Sequence, residues 1–595
     1  MRSARAAVCW VSLGACMWGG VAMGQESPES PEVAWVRANA HGVRTAEPGT
    51  PLDDLAFLKD LIGDARIVGL GESTHGTREH FQMKHRVLEY LASEMGFTIF
   101  SIEASAPESF AVDGFVTRGE GDAARLVGGM LFWTWNTEEV LAMVRWMRAF
   151  NAREGESGSG KRVAFTGFDM QSPGLPLKIL RETLGPDDPL AEDLERLRGL
   201  ARRVSQGPMG GSAPFGAATG EFPARQAAGK RVRFSGWIRT ADLTGRAALW
   251  WRADVAGGQV GAFDNMMDRA PTGTTAWREF AIELDVPAET VGINFGMILT
   301  GEGRAWFDDL RVEIDGQAWR GAGFDFAFDG PALTGFGAGL ARNYEAVIDP
   351  GVGHGAPGSL RLSSVGEGGG VTPAECEAAA ARFLDDLKRD DERLANRGLT
   401  VEARAWLRFN ANLVRQWAGM YGSPNGYAAR DAAMAENVRW ILGADPEAKI
   451  VLWAHNAHVS ATPPNMGWHL RQWYGDDYVS VGFATARGSY TAIRRGEGLR
   501  SDNALQEPPE GSVEALLDEA APANAVIDLR RARRDDGTGA RWVREARAFR
   551  FVGALAMEEQ FGPSVLGDAF DLLVWTRETT AARQLPGARA PAEEP

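Results

Sequence analysis

Apolar residues follow two rhythms in this chain. Over residues 52–205 and 372–585, short β-branched runs alternate with stretches whose apolar residues recur every three or four positions. The runs read as buried strands and the stretches as amphipathic helices. Arg78 to Met95 puts Phe81, Met83, Val87, Leu88 and Leu91 on one helical face. Thr137 to Phe150 does the same with Val140, Leu141, Val144 and Met147, and Thr137 can cap its first turn. Thr372-Pro373-Ala374-Glu375 joins a capping threonine, a proline in the first turn and an acid three residues on, so a helix begins there. Val401 to Gln416 and Tyr427 to Leu442 continue the helical texture, and strands return at 449–455, 478–485, 524–529 and 571–577. Alternating strands and helices predict a three-layer α/β/α fold around a mainly parallel sheet.

Residues 206–371 break that rhythm. Arg231 to Ile238, Ala248 to Arg252 and Ala305 to Val312 alternate with period two, and glycine turns separate them. This predicts an all-β sandwich inserted into the α/β domain. Residues 25–51 read as a flexible lead-in and 586–595 as a loose tail.

A chain of 595 residues is too long for one core. Its net charge of −16 argues against nucleic acid as a partner, because such proteins need a basic face. Arg2 and Arg5 followed by the apolar stretch Ala6 to Met23 and the site Ala22-Met23-Gly24 read as an export signal over residues 1–24. The mature protein is then expected to be periplasmic or extracellular, starting near Gln25, with no transmembrane segment. Leu13-Gly14-Ala15-Cys16 offers lipid anchoring at Cys16 as the minor alternative. Cleavage leaves Cys376 alone, so no internal disulfide is expected, and its helical setting marks it as a small core residue.

Four of the apolar runs end in chemistry. Ile67 to Leu70 leads into Gly71-Glu72-Ser73-Thr74-His75-Gly76; Phe97 to Ile102 ends in Glu103; Val163 to Phe168 ends in Asp169; and Ile450 to Ala454 ends in His455, with Asn456 and His458 behind it. Parallel strands place such residues on one edge, where open α/β sheets bind ligands. The chain has only eight histidines, and three of them fall at these strand ends. Glu72 and Asp169 each have a second reading as helix caps, and Glu103 as a partner for an arginine. Lys84 and His85, on the following helix, either face the crevice or cover an exposed helix face. His455 and His458 suit acid–base or substrate-contact chemistry; with His75, Glu72 and Glu103 they also offer the donors of a divalent metal site, although their spacing matches no standard metal motif. Gly155 to Lys161 imitates a P-loop, but Arg162 replaces its Ser/Thr and a strand follows, so it reads as a solvated turn. No Gly-x-Ser-x-Gly elbow is present.

Taken together, Gly71 to Gly76, Phe100-Ser101-Ile102-Glu103, Gly167-Phe168-Asp169 and Trp453 to His458 resemble the erythromycin esterase family, as do Met466-Gly467 and Asp571 to Val574. The resemblance covers about 52–205 and 372–582. It implies hydrolysis of a lactone or related ester without a serine nucleophile. His75 is then the general base that activates water, Glu72 orients it, and Glu103, His455 and His458 complete the pocket and stabilise the oxyanion. Lys84 departs from the arginine expected at its position in drug-inactivating members. The segment 206–371 resembles carbohydrate-binding sandwich modules with their usual first strands placed last, as in a circular permutation, so a carbohydrate is its expected ligand. The second reading of the whole chain is a non-catalytic binding protein for haem, metal or a glycan on the same scaffold.

Overall fold

A computed structural model describes residues 29–206, 215–255, 259–266, 268–321, 323–330, 333–340, 344–364, 372–494 and 497–586. The expected export signal and all but the first residue of the expected tail lie outside them. The fold is mixed α/β with several sheets.

The largest sheet has eight strands: β1 (His41–Gly42), β2 (Ile67–Leu70), β3 (Ile99–Ser105), β4 (Ala164–Asp169), β5 (Ile450–Trp453), β6 (Tyr478–Ala484), β7 (Asn524–Asp528) and β8 (Leu572–Thr576). Their spatial order is β1-β7-β8-β6-β2-β5-β3-β4. The pairs from β8 through β6, β2, β5 and β3 to β4 are all parallel, and β7 is antiparallel to both of its neighbours. One register row runs Val481, Leu70, Trp453, Ile102, Gly167 across five strands. Glu72, Glu103, Asp169 and His455 all follow that row within two residues, so pairing alone brings them to one edge. Strands β2, β5, β6 and β8 are buried along their whole length. Successive residues of β5 feed two different cores: Val451 and Trp453 join Phe81 and Val144, while Ile450 and Leu452 join Met434 and Val438. That is why these strands read as continuous apolar runs.

Residues 215–364 form two further antiparallel sheets that share one hydrophobic cluster, in which Trp251 and Phe295 of one sheet meet Phe234 and Phe307 of the other. The flanking helices Ala191–Gln206 and Pro373–Arg389 pack together through Leu194, Leu197 and Phe383, and Cys376 is buried among them. The expected capping box is formed: the Thr372 side chain accepts from the Glu375 amide at 3.1 Å, and the Thr372 amide donates to Glu375 at 2.8 Å.

Two local expectations differ. Part of the lead-in is structured: Ser30 caps a helix Pro31–Asn39 that buries Val33 and Val36, and His41 and Gly42 pair with β7. A capping serine, a proline and two valines three apart outweigh the loop-like composition around them. The helix capped by Thr137 runs past Phe150 to Ser157, so the P-loop imitation begins inside a helix that left-handed Gly158 ends. No helix among the described residues is long and apolar enough to cross a membrane.

Gly71 is where β2 gives way to the polar turn. A Cβ there would lie 2.2 Å from Asn456 Oδ1 and 3.0 Å from the Val481 carbonyl oxygen. Gly71→Ala is therefore expected to destabilise the protein by about 2 kcal/mol or more, because the obstructing atoms belong to neighbouring elements that cannot easily yield. Denaturant unfolding that matches wild type within error would refute this close approach.

Candidate active site

The turn after β2 buries Glu72 completely. Its two oxygens are claimed by different partners. Oε1 accepts from His75 Nδ1 at 2.7 Å, while Oε2 accepts from Lys84 Nζ at 2.5 Å and from the indole N–H of Trp453 at 2.9 Å. Lys84 reaches the turn from the helix Arg78–Glu94 and lies 4.3 Å from the Trp453 ring centroid. Burial drives the Lys84 ammonium down to about 8 against the pull of Glu72. Burial also opposes the charge on Glu72, but Lys84 and His75 outweigh it and hold the carboxylate below its usual range. Because Nδ1–H is committed to Glu72, His75 carries its lone pair on Nε2. That atom has no partner among the described residues, and the side chain keeps 12% exposure.

A second network surrounds Glu103. Its Oε2 accepts the His455 backbone amide at 3.0 Å, and its Oε1 accepts Arg430 Nη2 at 2.7 Å. Arg430 also grips Asp169 through Nε at 3.1 Å and Nη2 at 2.8 Å. Asp169 takes the Met170 amide and the Gln171 side chain as well. His458 gives Nδ1–H to buried Asp431 at 2.8 Å, and its Nε2 lies 3.2 Å from Glu103 Oε1. Burial opposes the imidazolium, yet Glu103 and Asp431 raise the ring to about 9. His458 and Arg430 in turn keep Glu103 well below the usual range despite its burial.

His455 stands between the two networks, its ring centroid 5.0 Å from that of His75. Its Nδ1 accepts the Ala457 amide at 3.2 Å, which puts the proton on Nε2, and Nε2–H donates to the Val552 carbonyl at 3.1 Å. Burial, then His75 and His458, push it down to about 3. The ring is thus a neutral brace with both nitrogens engaged by backbone. It ties the β5 edge to Val552, whose amide donates to the Ser73 carbonyl at 3.0 Å.

Seven of the eight residues expected here come together: Glu72, His75, Lys84, Glu103, Asp169, His455 and His458. Two expectations need correction. His85 is one residue on from Lys84 and points elsewhere: its ring meets Trp146 at 5.6 Å, both nitrogens are buried without hydrogen bonds, and burial lowers it to about 3. His455, with no spare N–H, is a brace and not an oxyanion donor. Arg430, Asp431 and Trp453 were not expected. Asp431 lies in the apolar stripe of the helix Gly426–Gly443 with Met434, Ala435 and Val438, and an acid inside a buried stripe was the available signal. Among the described residues, no three His, Cys, Asp or Glu side chains form a group able to hold a metal ion.

A cavity of about 450 Å³ adjoins the site, lined by Ala457, Asn465, Phe551, Val565 and Phe570 among others. Phe551 meets the His455 ring at 5.5 Å. A cavity of about 470 Å³ lies at the opposite rim, where Ala65, Tyr478 and Asp571 mark the amino ends of β2, β6 and β8.

A family model described as erythromycin esterase matches residues 92–227 and 359–579. The chain is 21% identical over 516 residues to Erythromycin esterase type II of Escherichia coli, covering 83% of this chain and 88% of that protein. It is 44% identical over 93 residues to the uncharacterized HTH-type transcriptional regulator YbfP of Bacillus subtilis, which is 16% of this chain and 32% of the regulator. The chain therefore spans about a third of that relative's length. A crystal structure of a Bacillus cereus protein superposes with a TM-score of 0.60 at 19% identity, covering 94% of this chain and 100% of the other, a likeness of fold.

Below pH 6.5, His458 is protonated both folded and unfolded, and the folded protein holds the full benefit of its two carboxylates. Between 6.5 and about 9 only the folded ring keeps the proton, so that stability is lost as pH rises. Lys84, lowered to about 8, contributes with the opposite sign above that pH in any variant that retains it. Asp431→Asn is therefore expected to fall less in melting temperature than wild type between pH 6.5 and 9. Parallel pH profiles would show that Asp431 does not hold the proton.

Proposed function

Because the chain belongs to the erythromycin esterase family, we propose that it is a hydrolase that opens a carboxylic ester or lactone with water activated by His75. The observation that carries this reading is the 2.7 Å bond from His75 Nδ1 to Glu72, which leaves Nε2 open at the edge of the sheet. Water on Nε2 gives up a proton as its oxygen adds to the carbonyl carbon. Glu72 steadies the resulting imidazolium, as a buried carboxylate does behind any histidine base. Lys84 and Trp453 fix the far oxygen of Glu72, so the near one stays aimed at His75. Collapse of the tetrahedral adduct breaks the bond to the alkoxide, which recovers the proton from His75. Ser73 is fully buried with its hydroxyl unpaired, so it offers no exposed nucleophile. The Escherichia coli relative, named as an esterase and aligned along most of this chain, supports the same reading. The cavity beside His455 is assigned to the part of the substrate remote from the ester.

Three readings from the sequence accompany this one. The eight-stranded sheet is taken as the middle of three layers, with residues 215–364 as a sandwich module set into the chain. That module is assigned a carbohydrate ligand, to be tested by glycan-array binding of the whole chain. Residues 1–24 are assigned to export, and a mature amino terminus at Gln25 would bear this out.

His75→Ala is expected to lower the rate of aryl-ester or lactone hydrolysis about 10²-fold or more, with the melting temperature near that of wild type. Undiminished turnover in a folded variant would reject His75 as the base.

A further inference from the structure

Arg430 Nη1 and His458 Nε2 lie 3.1 Å apart, and the Glu103 Oε1 beside them is shared by Arg430 Nη2 at 2.7 Å and His458 Nε2 at 3.2 Å. The Nε and Nη2 of Arg430 are taken up by Asp169 and Glu103. Its Nη1 has one neighbour among the described residues, His458 Nε2, at 3.1 Å. A neutral ring could accept there. This ring, however, has Asp431 at 2.8 Å on Nδ1 and Glu103 3.2 Å from Nε2. Two carboxylates, one at each nitrogen, keep both protons on it up to about pH 9 despite burial. An imidazolium has no lone pair to offer. The Nη1 hydrogens of Arg430 are then left without an acceptor in the protein, on a side chain that retains 16% exposure.

The other charged or titratable groups around His458 are occupied. Tyr427 stacks on the ring at 5.4 Å and gives its hydroxyl proton to Asn465. Asp431 is shared with the Met466 amide, Asp169 lies behind Arg430, and His455 is neutral. With His458 Nδ1–H given to Asp431 and Nε2–H held by Glu103, the spare cationic donor is Arg430 Nη1–H, and it suits one partner: an oxygen bearing negative charge.

We propose that Arg430 Nη1 is the oxyanion donor of this site. The inference rests on the hydrolase reading and assigns a role to Arg430 that the sequence did not suggest. As water adds, the carbonyl π pair moves onto the oxygen, and Arg430 Nη1–H receives it; the water proton goes to His75. Glu103 and Asp169 hold the guanidinium in place through Nη2 and Nε, and His458, with a carboxylate at each ring nitrogen, leaves Nη1 without an acceptor in the protein.

The test uses phenylphosphonate as a stable oxyanion, titrated calorimetrically into the whole chain, alongside aryl-ester kinetics. Arg430→Gln is expected to weaken phosphonate binding at least tenfold and to lower kcat about 10²–10³-fold with little change in KM. Arg430→Lys should fall between that variant and wild type. Wild-type affinity or wild-type kcat in folded Arg430→Gln overturns the proposal, as does failure of wild type to bind the phosphonate. Should loss of Arg430 prevent folding, a crystal structure of wild type with phenylphosphonate decides: a phosphonate oxygen within hydrogen-bonding distance of Nη1 supports the assignment, and any other placement rejects it. Arg430-dependent phosphonate binding with no ester turnover in wild type would reject the hydrolase and leave the oxyanion role of Arg430 standing.

Discussion

Buried charge must find opposite charge, and that requirement shapes the carboxyl edge of the sheet. Glu72, Glu103, Asp169 and Asp431 are all withdrawn from water. An isolated carboxylate in such a place costs several kcal/mol. Each one here is answered: Glu72 by Lys84, Trp453 and His75; Glu103 by Arg430, His458 and a backbone amide; Asp169 by Nε and Nη2 of Arg430; Asp431 by His458 and the Met466 amide. The side chains come from strands β2 to β5 and the turns that follow them, and from the helices Arg78–Glu94 and Gly426–Gly443, so the pairs also lock together elements hundreds of residues apart. The geometry that supports chemistry and the geometry that makes buried acids tolerable are one arrangement.

The same surroundings separate three histidines into three roles. His458, flanked by two carboxylates, is held as a cation. His455, buried and with backbone on both nitrogens, is held neutral. His75 gives one nitrogen to Glu72 and keeps the other for the crevice. Environments that drive neighbouring titratable groups apart are what allow acid and base functions to coexist at one pH.

Much of this was legible in the sequence because it depended on period and position. Buried parallel strands must be apolar throughout, so β2, β3, β4 and β5 announced themselves, and polar residues at their ends could be assigned to one edge without any coordinates. Legibility ended where contact depended on rotation about a helix axis. Lys84 and His85 are adjacent, and helical geometry turns them about 100° apart; the chain gave no means of deciding which one faced Glu72. Arg430 and Asp431 belong to a helix read only for its apolar repeat, so the acid interrupting that stripe drew no reading of its own. The helix Pro31–Asn39 was hidden by the prolines, serines and acids around it, although Val33 and Val36 carried its buried face.

The opposite rim of the sheet shows what distinguishes a reactive cluster from a structural one. Asp571, before β8, is as buried as the acids of the candidate site and is held by Arg471, Arg533 and the Ser480 amide. Both of its oxygens are claimed, and the groups around it tie β6 to β8. Charge and burial alone would rank the two rims alike. They differ in what is left over: around Asp571 both oxygens are claimed and the one spare donor, Arg471 Nε, is sealed from water, whereas at the carboxyl edge His75 keeps a lone pair and Arg430 keeps a donor, both on side chains that retain some exposure. A lone pair and a donor that the protein leaves unsatisfied can be completed only from outside, and that surplus, more than the density of ionisable groups, is what supports the proposal of a substrate at this edge.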